Sequence, residues 1–136
     1  MKSDLKRGNM MLDVIALGEL LIDFTMVNQD DHGYPTLAAH PGGAPCNFLA
    51  ALSRYGAKTA FIGKVGDDYF GNLLIRTIDE AGILTKGIIQ DTSCFTTLAF
   101  VTLDEHGNRS FSFARKPGAD LQLRETELKL SLIEEA

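Results

Sequence analysis

Apolar residues along this chain come in short blocks that switch between two periods. Residues 13–17 (DVIAL), stopped by Gly18, form a β-rich run of the kind that fills a strand covered on both faces, and the first core strand is expected there. Residues 20–27 (LLIDFTMV) are extended in character with one acid inside, and they give way to a polar stretch with Gly and Pro turn formers over 28–35. That predicts a strand leaving the core for a side sheet. From Pro45 to Tyr55 the period becomes helical: Phe48, Leu49, Ala51 and Leu52 are expected on one face, with Gly56 as the C′ stop. Residues 58–65 (KTAFIGKV) read as a second buried strand. Asp67 or Asp68 then caps a helix carrying Phe70, Leu73, Leu74 and Ile78, which closes at Gly82.

Strand, helix, strand, helix is the alternation of an α/β fold, a parallel sheet covered by helices with right-handed crossovers. After a short third strand over 86–89 the pattern changes again. Residues 96–103 and 109–113 are two extended runs around Asp104-Glu105-His106-Gly107-Asn108, a hairpin with a Gly-containing loop. Paired with the segment after Leu20, it makes a small β-sheet projecting from the body, with its strands within about 20–40 and 95–115. Such a sheet serves as a lid or as an oligomerisation surface, since free sheet edges tend to be paired or covered. Residues 121–136 have helical composition, with Leu128, Leu132 and Ile133 on one stripe. Glu134 and Glu135 at its end oppose the helix dipole, so the chain is expected to be the first part of a larger domain.

Composition narrows the function. The 136 residues are 45% hydrophobic with mean hydropathy +0.01, suited to one domain with a small appendage. Thirteen Lys and Arg against 18 Asp and Glu give a net charge of -5, which argues against nucleic acid and anionic membrane as partners and for a small ligand. Cys46 and Cys94 lack both zinc-type clustering and a disulfide framework, and are expected to be thiols in a reducing cytoplasm. The opening MKSDLKRGNM lacks the apolar core of a signal peptide, so residues 1–12 are expected to be a flexible leader. No run approaches the ~18 apolar residues that span a bilayer.

Few residues stand out as carriers of chemistry. Asp23 breaks an apolar run just past the first strand, where a carboxylate can accept two sugar hydroxyl protons; it also reads as a turn residue at a strand end. Gly42 and Gly43 permit a hinge and close ligand approach, or are merely a tight turn into the helix. Asn47, in that helix's first turn, offers donors and an acceptor to a polyol, or is an exposed polar residue at a helix start. Arg115 ends the hairpin and can reach a hydroxyl, a carboxylate or a phosphate. Phe111 and Phe113 share a strand face, as pocket wall or as packing. His32, His40 and His106 fall in polar or turn segments and are assigned no role, and neither nucleotide-binding glycine fingerprint occurs.

The segments IALGELLIDF, PGGAPCNFLAALSRYGAKTAFIGKVGDDYFG and TTLAFVTLDEHGNRSFSFARKPGAD resemble, in order and spacing, the N-terminal half of ribokinase-like (PfkB) carbohydrate kinases, and the fructokinase branch most. The resemblance runs over nearly all of 13–136. It implies ATP-dependent phosphorylation of a sugar, with Mg²⁺, in a cleft between an α/β body and a β lid. Asp23, Gly43 and Asn47 would hold sugar hydroxyls, Gly42-Gly43 would be the hinge, and Phe113 and Arg115 would come from the lid. Fructose is the expected sugar. FARKPGAD also resembles 2-keto-3-deoxygluconate kinases, in which the corresponding arginine meets a carboxylate.

The family's second signature, Gly-Ala-Gly-Asp, which carries the catalytic base and the phosphate anion hole, does not occur in these residues. No catalytic residue, ATP site or metal site is therefore expected in this chain, and alone it is expected to be inactive. The other reading is a non-catalytic sugar-binding module, or one that forms a homodimer through the lid sheet.

Overall fold

The structure, a computed structural model, describes residues 11–136. The first apolar run forms β1 (Val14–Leu17), and the next extended segment forms β2 (Leu21–Gln29), followed by β3 (Pro35–Gly42). The helical pattern yields α1 (Ala44–Arg54), then β4 (Thr59–Gly66), α2 (Tyr69–Glu80) and β5 (Ile83–Asp91). The hairpin is β6 (Leu98–Leu103) and β7 (Arg109–Ala114), and α3 (Leu130–Glu134) lies near the end.

Two sheets result. β1, β4 and β5 form a parallel sheet with β4 in the middle; β3, β2, β6 and β7, in that order, form the second. In the latter β2 pairs antiparallel with β3 and parallel with β6, while β6 and β7 are the antiparallel hairpin. All eight residues of β4 are buried, as a near-continuous apolar strand requires. Alternation sends its side chains into two cores. Phe61 and Val65 pack with Leu49 and Cys46 of α1 and with Leu74 and Ile78 of α2. Ala60 and Ile62 pack on the other face with Leu12 and Leu132.

The expected leader over 1–12 lies mostly outside the described residues. Leu12, its last residue, is buried in the second core, and its N–H donates to the Glu135 carbonyl at 2.8 Å.

Several local expectations change. The third strand runs over nine residues rather than four, because β5 pairs with β4 along its length from Thr59 to Gly66. β3 runs on to Gly42, the first residue of the expected hinge; prolines at 35 and 41 are tolerated because β3 is an edge. On α1 the buried stripe is Cys46 and Leu49 with partly buried Ala50, while Phe48 is exposed. The helical stretch expected over 121–136 is instead two 3-10 turns, Ala119–Gln122 and Glu125–Glu127, and the five-residue α3. Leu123, Leu128 and Leu132 each reach the sheet separately, and Lys64 of β4 ties down the carbonyl of Gln122 and the carboxylate of Glu127, which a continuous helix could not offer together.

The second sheet is fastened to the body by Ile22 of β2, buried in the main core, and by two further groups of contacts. Phe24 of β2 stacks on Phe100 of β6 at 5.2 Å and meets the edge of Phe70 of α2 at 5.5 Å. Asp68 caps α2 by accepting the Gly71 N–H at 2.8 Å, and it also accepts the N–H and hydroxyl of Thr96 at the entry to β6.

Candidate functional site

Strand register draws one line of residues across the second sheet. His40 of β3 lies opposite Asp23 of β2, Asp23 opposite Ala99 of β6, and Ala99 opposite Phe113 of β7. Residues in such register share a face, here the one turned away from the Phe24–Phe100 stack. A cleft of about 390 Å³ opens on this face, lined by Asp23, Thr25, His40, Val101, Arg109 and Phe111, with Met26 and Leu103 completing it.

Asp23 is half-buried, and among the described residues no hydrogen bond reaches its carboxylate. Burial pushes its pKa above the ordinary carboxylate value, the negative Glu19 adds to the rise, and His40 offsets part of it. A partly desolvated acceptor without a donor, at the edge of a cleft, is equipped to take hydroxyl protons from a ligand.

The glycine pair sits against this carboxylate. Gly42 is buried at the end of β3, and a Cβ there would collide with the Asp23 carboxylate, so the absence of a side chain is what lets strand and acid lie together. Gly43 has φ 116 and serves as N-cap of α1, with Pro45 in the first turn. Asn47 follows one turn in, its N–H donating to the Gly43 carbonyl at 3.1 Å, and its side chain is exposed. Asp23, Gly42 and Gly43 thus meet where β3 runs into α1, with Asn47 on the helix that starts there, while Phe113 stands in register with Asp23 across β6, on the far edge strand of the sheet.

Arg115 is differently placed from an arginine free to meet a ligand. Its Nη2 donates to Glu19 Oε2 and to Asp120 Oδ2, each at 2.6 Å, and its guanidinium lies 5.2 Å from the Phe113 ring. Its own burial would lower its pKa, but the hydrogen bonds and charges of Glu19 and Asp120 outweigh that and raise it. Asp120 is 1% exposed, and its other oxygen accepts the Thr97 hydroxyl.

Sequence reasoning missed four residues here. His40 was expected in a polar or turn segment but stands on β3 facing Asp23; recognising the alternation of β3 before Gly42 would have placed it. Glu19 carries no local signal, because its partner Arg115 lies 96 residues away and only the fold brings the two together, whereas Asp120 sits five residues past Arg115 in the same FARKPGAD run. Lys64, 5% exposed, pairs with Asp91 at 3.1 Å and Glu127 at 2.7 Å; a lysine inside the apolar run FIGKV was the available clue. Among the described residues no group of three or more His, Cys, Asp or Glu could hold a metal ion, and no helix is long and apolar enough to cross a membrane.

The likeness to known proteins covers this whole arrangement. The profile of the pfkB family carbohydrate kinases matches residues 11–136. The probable fructokinase-5 of Arabidopsis thaliana is 42% identical over 128 residues, covering 90% of this chain and 39% of that protein. The fructokinase structure from Xylella fastidiosa superposes with a TM-score of 0.84 at 39% identity, over 90% of this chain and 38% of that one. An E. coli structure assigned to ribokinase II, in complex with ATP and Mg²⁺, gives a TM-score of 0.80 at 27% identity, over 91% of this chain and 40% of that one. This chain therefore spans about two fifths of the length of the relatives it matches. With the three-stranded parallel body sheet, the four-stranded second sheet and the family match all running through the same residues, the chain belongs to the pfkB family of carbohydrate kinases.

Proposed function

We propose that this chain forms the sugar-binding part of an ATP-dependent sugar kinase, and that fructose is its acceptor. The observation that carries the reading is Asp23: a half-buried carboxylate without a hydrogen-bond donor, seated against the Gly42-Gly43 pair at the edge of the cleft. Its two oxygens accept protons from neighbouring sugar hydroxyls and fix the ring's orientation. Charge-assisted bonds of this kind contribute about 1.5–3 kcal/mol each when shielded from water. Asn47 adds donors from the first turn of α1, and Phe113 supplies an apolar wall in line with Asp23. Gly42-Gly43, between β3 and α1, is the hinge about which the second sheet closes as a lid.

ATP with Mg²⁺ supplies the phosphoryl group in this reading. No residue of this chain is assigned to holding either. The chain's own contribution is to bind, orient and partly desolvate the acceptor. We place the protein in the cytoplasm, in keeping with its two free thiols.

Titration of fructose into the 136-residue chain tests the reading. Saturable binding that weakens at least tenfold in Asp23→Ala is expected; binding indifferent to that substitution overturns it. With ATP, Mg²⁺ and fructose, the purified chain alone is expected to yield no sugar phosphate, and a longer protein containing it is expected to yield fructose phosphate.

A second copy of the chain is the proposed partner of the lid. Phe111 and Phe113 stack at 6.2 Å with about half their surface exposed, and Leu103 beside them is also exposed. Light scattering is expected to report a dimer that Phe111→Ser dissociates.

A further inference from the structure

His40 and Asp23 stand side by side in the cleft with no hydrogen bond between them. Antiparallel register sets His40 of β3 directly opposite Asp23 of β2, so the two side chains leave the sheet on one face, their Cβ atoms about 5 Å apart. Both line the cleft. Among the described residues neither side chain has a hydrogen-bond partner, and His40 acts on Asp23 as a charge through space. His40 also has little to pack against on its own strand, since its neighbours on the same face, two residues away on either side, are Ala38 and Gly42. The Asp23 carboxylate lies over Gly42. An exposed imidazole set between two such small residues contributes nothing to a core, and its ring nitrogens are left unengaged beside an acceptor-only group. Of the other donors that line the cleft, Thr25 stands two residues further along β2. Arg109 is more distant still: it pairs with Leu103, four residues along β6 from the Ala99 that pairs with Asp23, or roughly 13 Å. His40 is the donor level with Asp23.

We propose that His40 is a further sugar-binding residue that shares one hydroxyl with Asp23: the hydroxyl donates its proton to the carboxylate, and its oxygen accepts the imidazole N–H. This inference rests on the sugar-binding reading of Asp23. A hydroxyl is both donor and acceptor, whereas a carboxylate only accepts. Asp23 alone therefore leaves the oxygen of any hydroxyl it holds without a partner in a partly desolvated site, which works against binding. Side chains whose Cβ atoms are about 5 Å apart can place polar atoms on either side of one oxygen, each at an ordinary hydrogen-bond distance of about 2.8 Å. The pair then reads that hydroxyl by both of its functions, and it rejects a deoxy position or an O-methyl group there, because either change leaves a protein group unpaired.

The experiment is calorimetric titration of the 136-residue chain with fructose, in wild type, Asp23→Ala, His40→Ala, His40→Gln and the double variant Asp23→Ala, His40→Ala. His40→Ala is expected to weaken binding about fivefold or more, and, because His40 is exposed, to leave the thermal melt unmoved. His40→Gln keeps an N–H donor and is expected to stay within about twofold of wild type. Since the two residues share one hydroxyl, adding His40→Ala to Asp23→Ala is expected to weaken binding by less than about twofold further. Unchanged affinity in His40→Ala, a His40→Gln variant no better than His40→Ala, or losses that multiply in the double variant overturn the inference; provided Asp23→Ala still weakens binding, the sugar-binding reading stands. Binding indifferent to Asp23→Ala, or no binding of fructose at all, overturns that reading and this inference with it.

Discussion

The main-chain carbonyl of Glu19 stands 2.5 Å from where a Cβ on Gly43 would lie. The segment joining β1 to β2 therefore presses on the N-terminus of α1 through a position that only glycine fills, and φ 116 at Gly43 adds a second demand of the same kind. Gly43→Ala is expected to cost about 1–3 kcal/mol from backbone strain, with any displacement of Glu19 adding to it. Urea unfolding measures the loss, and an unchanged midpoint would show that the junction is not tightly packed.

Asp23 is expected to trade stability for binding. An acid whose folded pKa is raised above its ordinary 3.8 favours folding only while protonated, and that advantage is lost as pH rises through the folded value. At pH 7 the ionised group is therefore a liability to the fold, and Asp23→Asn is expected to melt higher than wild type. The gain should vanish as pH falls below the ordinary carboxylate range. Fructose binding is expected to move the opposite way, weakening at least tenfold in Asp23→Asn at pH 7. Thermal melts and titrations at two pH values check both signs.

Lys64 gives the acid limb of stability a specific origin. Its hydrogen bond holds Glu127 below the ordinary carboxylate value, and Asp91 is held down by Ser93 first and by Lys64 after it. Groups with lowered folded pKa contribute stability above their unfolded values, 4.5 and 3.8 here, and lose it as pH falls through the folded ones. Lys64→Met is expected to be less stable at pH 7 and to show a shallower loss of stability on acidification. A slope equal to that of wild type would remove Lys64 from the account.

The two cysteines are expected to react very differently. Burial pushes the Cys46 thiol from 9.0 up to about 11, so it carries almost no thiolate near neutrality, and it is also only 8% exposed. Cys94 is more accessible. A thiol reagent at about pH 8 is expected to label Cys94 in the native chain and both cysteines in urea; Cys94→Ser should leave the native chain unlabelled.

Adjacent residues on α1 make a sharp test of its orientation. Leu49→Ala, in the core between helix and sheet, is expected to cost about 2–5 kcal/mol, whereas Phe48→Ala on the exposed side is expected to stay within about 0.5 kcal/mol. The reverse order would mean that the helix buries its other face.

What the sequence determined by itself was whatever depends on neighbours in the chain. The apolar run over 58–65 specifies β4 as a doubly covered strand, the pair Asp67-Asp68 announces the cap of α2, which Asp68 supplies, and the Gly-containing loop announces the β6–β7 hairpin, because period, capping and turn chemistry act over a few residues. Asp23 and the glycine pair were legible as candidates for the same reason. Tertiary structure alone decided the rest. β3 extends to Gly42 because β2 supplies hydrogen-bonding partners for an edge that accepts proline, and the segment over 121–136 breaks into turns because separate leucines and Lys64 pull it onto the sheet. Arg115 meets Glu19, 96 residues away, only after β7 has paired with β6 and β6 with β2. Which face a residue occupies and what charge it meets are properties of contacts between distant segments, and these exist only once the chain has closed on itself.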